Sequence, residues 1–146
     1  MAIDPIDPSR VKLPTPATDA FGSKVGMVFE ELTGERVVGT IPVEGNTQPY
    51  GILHGGAACM LIESLASMGA AIAAGWPEKI VMGVQQSTNF IRAVGDGTVR
   101  GVATPLQTGR TTHVWQVDLT HIESGNLVAS GRVTLAVREP RPGQAG

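Results

Sequence analysis

The chain reads as an α+β domain in which an antiparallel sheet packs around one long helix. Three observations predict this. A run of small and apolar residues from Gly55 to Ala74 is long enough for about five helical turns. Two β-patterned segments precede it and four follow, each bounded by turn residues. No internal repeat or linker divides the 146 residues, so one domain spanning 1–146 is expected.

Met1 to about Ala20 carries Pro5, Pro8, Pro14 and Pro16 with little periodicity, and is expected to form an irregular N-terminal arm. A short helix around Phe21 has no pattern to support it. Val25 to Leu32 and Arg36 to Val43 read as strands, with Thr33-Gly34 between them as hairpin chemistry. Glu44 to Pro49 is a polar loop broken by Gly45, Asn46 and Pro49.

The helix should stop where Gly75 offers a left-handed C-terminal residue and Pro77 cannot continue the turn. On a 3.6-residue period, Ala58, Leu61, Ile62, Leu65, Met68, Gly69 and Ile72 share one face, which a sheet should wrap. The other face carries Gly56, Cys59, Met60, Glu63, Ser67, Ala70 and Ala74, small enough for another backbone to come close.

The rest is strand after strand. Ile80 to Val94 is β-rich and ends at the turn Gly95-Asp96-Gly97. Thr98 to Leu106 alternates, with Pro105 predicting an edge or a bulge. Thr111 to Ile122 alternates after Gly109-Arg110. Leu127 to Val137 follows the turn Ser124-Gly125-Asn126, with Leu127, Ala129, Gly131, Val133, Leu135 and Val137 on one face. These four are expected as a meander, ending in a polar tail from Glu139 to Gly146.

Composition narrows the function. Apolar residues make up 42% and charged residues 16%, which excludes disorder and suggests surface hidden by self-association. The net charge of −2 offers no attraction for nucleic acid. Cys59 is the single cysteine, so no intrachain disulfide or cysteine-rich metal site is expected, which fits the cytoplasm. The N-terminus, with Asp4 and Asp7, lacks the basic start and apolar core of a signal peptide. Gly51 to Gly75 is not expected to enter a membrane, because Glu63 at its centre would cost roughly 2.5–3.5 kcal/mol there.

That glutamate is the only formal charge between Gly45 and Pro77. It could serve as nucleophile or general base on an acyl group, or be a carboxylate capped by a neighbouring strand or another subunit. At the helix start, the N–H groups after His54 lack intrahelical acceptors, and Gly55 and Gly56 have no side chains to fend off a ligand. A carbonyl could be polarised there, or the glycines could serve backbone conformation alone. Gly55 and Glu63 are eight residues apart, about 12 Å of helical rise, too far to touch one carbonyl. Acting together, they must come from two copies related by a two-fold axis, which predicts an obligate dimer with two shared sites.

Other candidates are weaker. Cys59 has no nearby cationic partner to activate it. His113 and His121 share a strand face roughly 27 Å apart, so they are no metal pair and are expected at the surface or a pocket rim. Trp76, Trp115 and Met82 are candidates for an acyl pocket.

Gln48, His54-Gly55-Gly56 and Glu63, with Ser67 one turn on, resemble the active-site helix of hotdog-fold acyl-CoA thioesterases. The resemblance is to the glutamate-using 4-hydroxybenzoyl-CoA thioesterase type, within the broader phenylacetate-pathway thioesterase group. It covers roughly Val25 to Arg138, including Asn89-Phe90-Ile91-Arg92 and Gly109-Arg110-Thr111-Thr112. It departs where many relatives place proline after the arginine, since Ala93 and Val94 follow Arg92 here.

The resemblance implies a hotdog fold and hydrolysis of an aromatic or medium-chain acyl-CoA to free acid and CoA, with no metal and no cofactor beyond the CoA of the substrate. Glu63 would be nucleophile or general base, and the Gly55 N–H of the opposite subunit would polarise the carbonyl. Gln48 and His54 would position the thioester or water, with Ser67 in support. Arg92, Arg110, Thr111 and Thr112 would grip CoA, and Met82 would line the acyl side. The partners implied are an acyl-CoA and further copies of the chain, as a homodimer and then a dimer of dimers (a homotetramer). The alternatives are a non-catalytic acyl-CoA-binding module, which would have no use for Glu63, and a hydratase, whose acid and histidine spacing is absent.

Overall fold

The computed structural model describes residues 19–142. The expected N-terminal arm therefore lies outside the described residues except at its end, as do the last four residues of the expected tail.

A five-residue helix, α1 (Ala20–Lys24), opens the described chain, started by the Asp19 carboxylate, which accepts a hydrogen bond from the Gly22 N–H at 2.8 Å. Strands β1 (Val28–Leu32) and β2 (Val37–Pro42) form the expected hairpin. The long helix α2 (Gly55–Ala74) has the expected bounds. Gly75 ends it with φ 88° and ψ 52°, a left-handed backbone that a side chain would strain. Then come β3 (Ile80–Phe90), β4 (Thr98–Thr108), β5 (Thr112–His121) and β6 (Leu127–Arg138).

All six strands join one antiparallel sheet in the order β1-β2-β4-β5-β6-β3. The four later strands are thus not a simple meander. β4, β5 and β6 follow one another, but β3 runs to the far edge and pairs with β6 alone. Alternation within a strand assigns its faces and says nothing about its neighbours, so this order had no signature in the sequence. At Pro105 the ladder to β5 shifts register, the predicted bulge.

The sheet wraps α2, which packs on every strand from β2 to β6, the hotdog arrangement. By length and composition α2 could cross a bilayer, but ten of its 20 residues are buried within the fold. Leu61, Ile62 and Leu65 have no exposed surface and meet Ile41, Val99, Val117, Leu119 and Leu135 from the sheet. Each such side chain contributes roughly 1.5–3 kcal/mol on burial. Two positions expected on the open face, Met60 and Ala70, are buried instead, because the sheet curls far enough to cover them.

Gly69 and Trp115 pack tightly. A Cβ at Gly69 would stand 2.4 Å from the indole Cη2, so the ring lies directly on the helix backbone. His113 and His121, expected at the surface, are also inside, with 3% and 7% of their surface exposed. They stand at the two ends of the row that Trp115, Val117 and Leu119 continue on the buried side of β5. His121 is satisfied from other segments: Nδ1 meets Ser124 Oγ at 2.9 Å, and Nε2 meets the Asp96 carbonyl at 3.1 Å and Glu123 Oε2 at 3.0 Å. Burial lowers the pKa of His113, partly offset by a hydrogen bond to the Gly109 backbone.

Candidate active site

The start of α2 is built by the loop before it. Asn46 is buried, and its side-chain amide donates to the carbonyls of Val25 and Pro42, both at 2.8 Å. Its own carbonyl accepts from the His54 N–H at 2.8 Å, so one residue fixes the approach to the helix. The loop returns on itself through Gln48 N–H to the Ile52 carbonyl, and Leu53 N–H reaches the Val94 carbonyl, both at 2.8 Å. Gln48 is thereby set beside the first turn.

At that turn the free donors are reduced to one. The Gly56 N–H donates to His54 Nδ1 at 2.8 Å, and the Ala57 and Ala58 N–H groups donate to the His54 carbonyl. His54 is thus the N-cap residue, and a ring accepting at Nδ1 carries its proton on Nε2 when neutral. Among the described residues no acceptor takes the Gly55 N–H. Gly55 lines a cleft of about 440 Å³ together with Gln48, Ile52, Phe90, Arg92 and Val128. The Phe90 ring roofs it, since a Cβ at Gly55 would sit 3.2 Å from the ring edge. Arg92 follows the end of β3 in an irregular stretch.

Glu63 lies two turns further on, half-buried, and its Oε1 accepts from Ser67 Oγ at 2.5 Å. A carboxylate and hydroxyl four residues apart share one side of a helix, so this pairing follows from spacing. Across from Glu63 stands Gly83 of β3. A Cβ built there would be 3.4 Å from the same Oε1, so the carboxylate faces a strand that offers no side chain.

Within one chain, then, Gln48, Gly55 and Arg92 share one cleft, and Glu63 and Ser67 form a second group along the helix. His54 caps the helix and lines another hollow of about 340 Å³, with Phe21, Asn46 and Thr47. Met82 pairs with Ala136 while its neighbour Gly83 pairs with Leu135, so Met82 lies on the sheet face opposite Glu63. Arg110, Thr111 and Thr112 are exposed at the β4–β5 turn. Thr112 pairs with Ala136, seven residues along β6 from Ala129 beside Phe90, or about 24 Å from the Gly55 cleft. Among the described residues no three His, Cys, Asp or Glu side chains gather to hold a metal. Asn46 and Phe90 were not singled out from the sequence. Asn46 sat among loop breakers, and the approach of Phe90 to Gly55 depends on the register of β3.

Residues 50–128 match the family model of the thioesterase superfamily. The 1,4-dihydroxy-2-naphthoyl-CoA hydrolase of Escherichia coli K12 is 37% identical over 120 residues, covering 80% of this chain and 87% of that protein. The proofreading thioesterase EntH of Cronobacter sakazakii is 35% identical over 114 residues, covering 77% and 82%. Among solved structures, thioesterase HI1161 of Haemophilus influenzae superposes with a TM-score of 0.78 at 31% identity, covering 84% of this chain and 85% of that one. A carboxylate on the central helix of a hotdog domain, a free N–H at that helix's start and these likenesses lead to one assignment: the chain belongs to the thioesterase superfamily, a hydrolase family.

Proposed function

We propose that this chain hydrolyses an aromatic or medium-chain acyl-CoA to the free acid and CoA, with Glu63 as the reacting carboxylate. The observation that carries the reading is that carboxylate: half-buried, hydrogen-bonded by Ser67, and facing the gap left by Gly83. An aromatic acyl group is favoured by the naphthoyl substrate named for the Escherichia coli relative. The Gly55 N–H, lacking an acceptor among the described residues, would hold the thioester oxygen as charge develops on it, with Gln48 beside it.

Since Gly55 and Glu63 stand about 12 Å apart on one helix, the reading requires two copies, each giving Gly55 to the site that the other's Glu63 completes. The open edge of β3 supports this, because Met82 and Val84 expose 57% and 66% of their surface there. In the reaction, Glu63 either takes a proton from water as hydroxide adds to the carbonyl, or adds to the carbonyl itself and forms an anhydride that water opens. In both routes the carbon–sulfur bond breaks and CoA thiolate leaves to be protonated.

The test is thiol release from a panel of acyl-CoA esters. Glu63→Gln should lower kcat by about 10²–10⁴-fold with the fold intact. Near-full turnover in that variant would refute the role of Glu63. Binding without cleavage by the wild type would favour a non-catalytic acyl-CoA module.

A further inference from the structure

One side chain of β3 reaches α2 beside Glu63. Gln86 Nε2 donates to the Cys59 carbonyl at 3.2 Å and to Thr88 Oγ1 at 2.9 Å. The Cys59 carbonyl only accepts, so the amide must present its NH2 group there, and both of its hydrogens are then used. Cys59 stands four residues before Glu63, so its carbonyl also receives the helical bond from the Glu63 N–H. Gln86 therefore grips the same oxygen that holds the backbone of Glu63.

A break in the strand makes this contact possible. The pairing of β3 with β6 shifts between Gly83 and Gln85, with Val84 as the extra residue. In unbroken alternation, Gly83 and Gln86 would point to opposite faces, being an odd number of residues apart. The bulge reverses the alternation: Gly83 pairs with inward Leu135 and Gln86 with inward Val133, so both face the helix. One supplies the gap at the carboxylate, and the other ties the strand to the turn that carries it.

We propose that Gln86 is a positioning residue for Glu63, holding α2 against β3 so that the carboxylate lies at the Gly83 gap. This rests on the thioesterase reading above and touches no substrate atom.

Gln86→Met keeps the length of the side chain and removes both donors. Its kcat should fall by about 10- to 100-fold, the scale of a small misplacement of a reacting group, while KM stays within about twofold. Amide hydrogen exchange should quicken within residues 59–67 and not elsewhere in α2. In a Glu63→Gln background, Gln86→Met should leave the residual rate unchanged, because there is no carboxylate to misplace. A purely structural role would lower both backgrounds alike and spread the exchange. An unchanged kcat, an equal loss in the Glu63→Gln background, or a loss confined to KM would each overturn the assignment while leaving the thioesterase reading intact. If the wild type cleaves no thioester, or Glu63→Gln cleaves as fast as the wild type, that reading fails and this one falls with it.

Discussion

Replacing Gly69 by alanine sets two effects of known size against each other. Alanine is the better helix former by about 1 kcal/mol, so on an open helix face the change would stabilise. Here the new Cβ would stand 2.4 Å from Trp115 Cη2, 2.5 Å from Cζ3 and 3.0 Å from Cζ2. Ordinary carbon contacts lie near 3.5–4.0 Å, so the ring must retreat by about 1 Å. Trp115 has no exposed surface and a flat, stiff side chain, and its retreat is into packed core. Overpacking of this kind costs typically 1–3 kcal/mol. With the overlap at the severe end, the net loss is about 2 kcal/mol, which lowers Tm by roughly 4–8 °C in a chain of this size. Thermal unfolding followed by circular dichroism at one fixed protein concentration measures it. Gly101→Ala is the comparison. Its Cβ would meet Leu65 Cδ1 at 2.4 Å and Leu119 Cδ2 at 2.8 Å, the ends of rotatable side chains, so its loss should be smaller. Trp115→Phe should recover part of the Gly69→Ala loss in the double variant, because the smaller ring leaves room. A Gly69→Ala protein as stable as the wild type would show the indole free to move and the argument wrong.

Three further outcomes are expected. Asn46→Leu leaves the Val25 and Pro42 carbonyls without their donor, and should cost about 1–3 kcal/mol by urea unfolding. Burial lowers the pKa of His113 from its ordinary 6.5, so the unfolded chain takes up its proton first as pH falls. Stability should therefore decline below about pH 6.5, and the urea midpoint should depend less on pH between 7.5 and 5.5 in His113→Gln; an unaltered dependence would place the effect elsewhere. Val84→Asp sets a charge on the exposed edge of β3 and should shift the protein toward monomer in sedimentation, with turnover falling in parallel; a monomer that kept full activity would rule out the shared site.

The helix was legible at both ends because its signals are local. His54-Gly55-Gly56 opens it, and Gly75, with Pro77 beyond, closes it. That Glu63 and Ser67 share a helix face was legible for the same reason, but the hydrogen bond between them was not anticipated. What else escaped depends on segments distant in the chain. His121 looks like a surface residue until Asp96, Glu123 and Ser124 close around it. Asn46 resembles an ordinary loop breaker until Val25, 21 residues earlier, comes within reach of its amide. Gln86 faces the helix only because Val84 is an extra residue in the ladder, and periodicity cannot show an extra residue before the partner strand is known. The same limit hid the place of β3 at the far edge.

That place carries a consequence for synthesis. β3 leaves the ribosome directly after the helix that bears Glu63, yet its ladder partner is β6, the last of the described strands to emerge. Until residues 127–138 are made, Gly83 and Gln86 have no sheet to hold them beside the carboxylate, while β1, β2, β4 and β5 can already pair with one another. Stalling or cleavage before Leu127 would thus leave a nascent chain with its central helix partly wrapped and Glu63 without the wall that faces it.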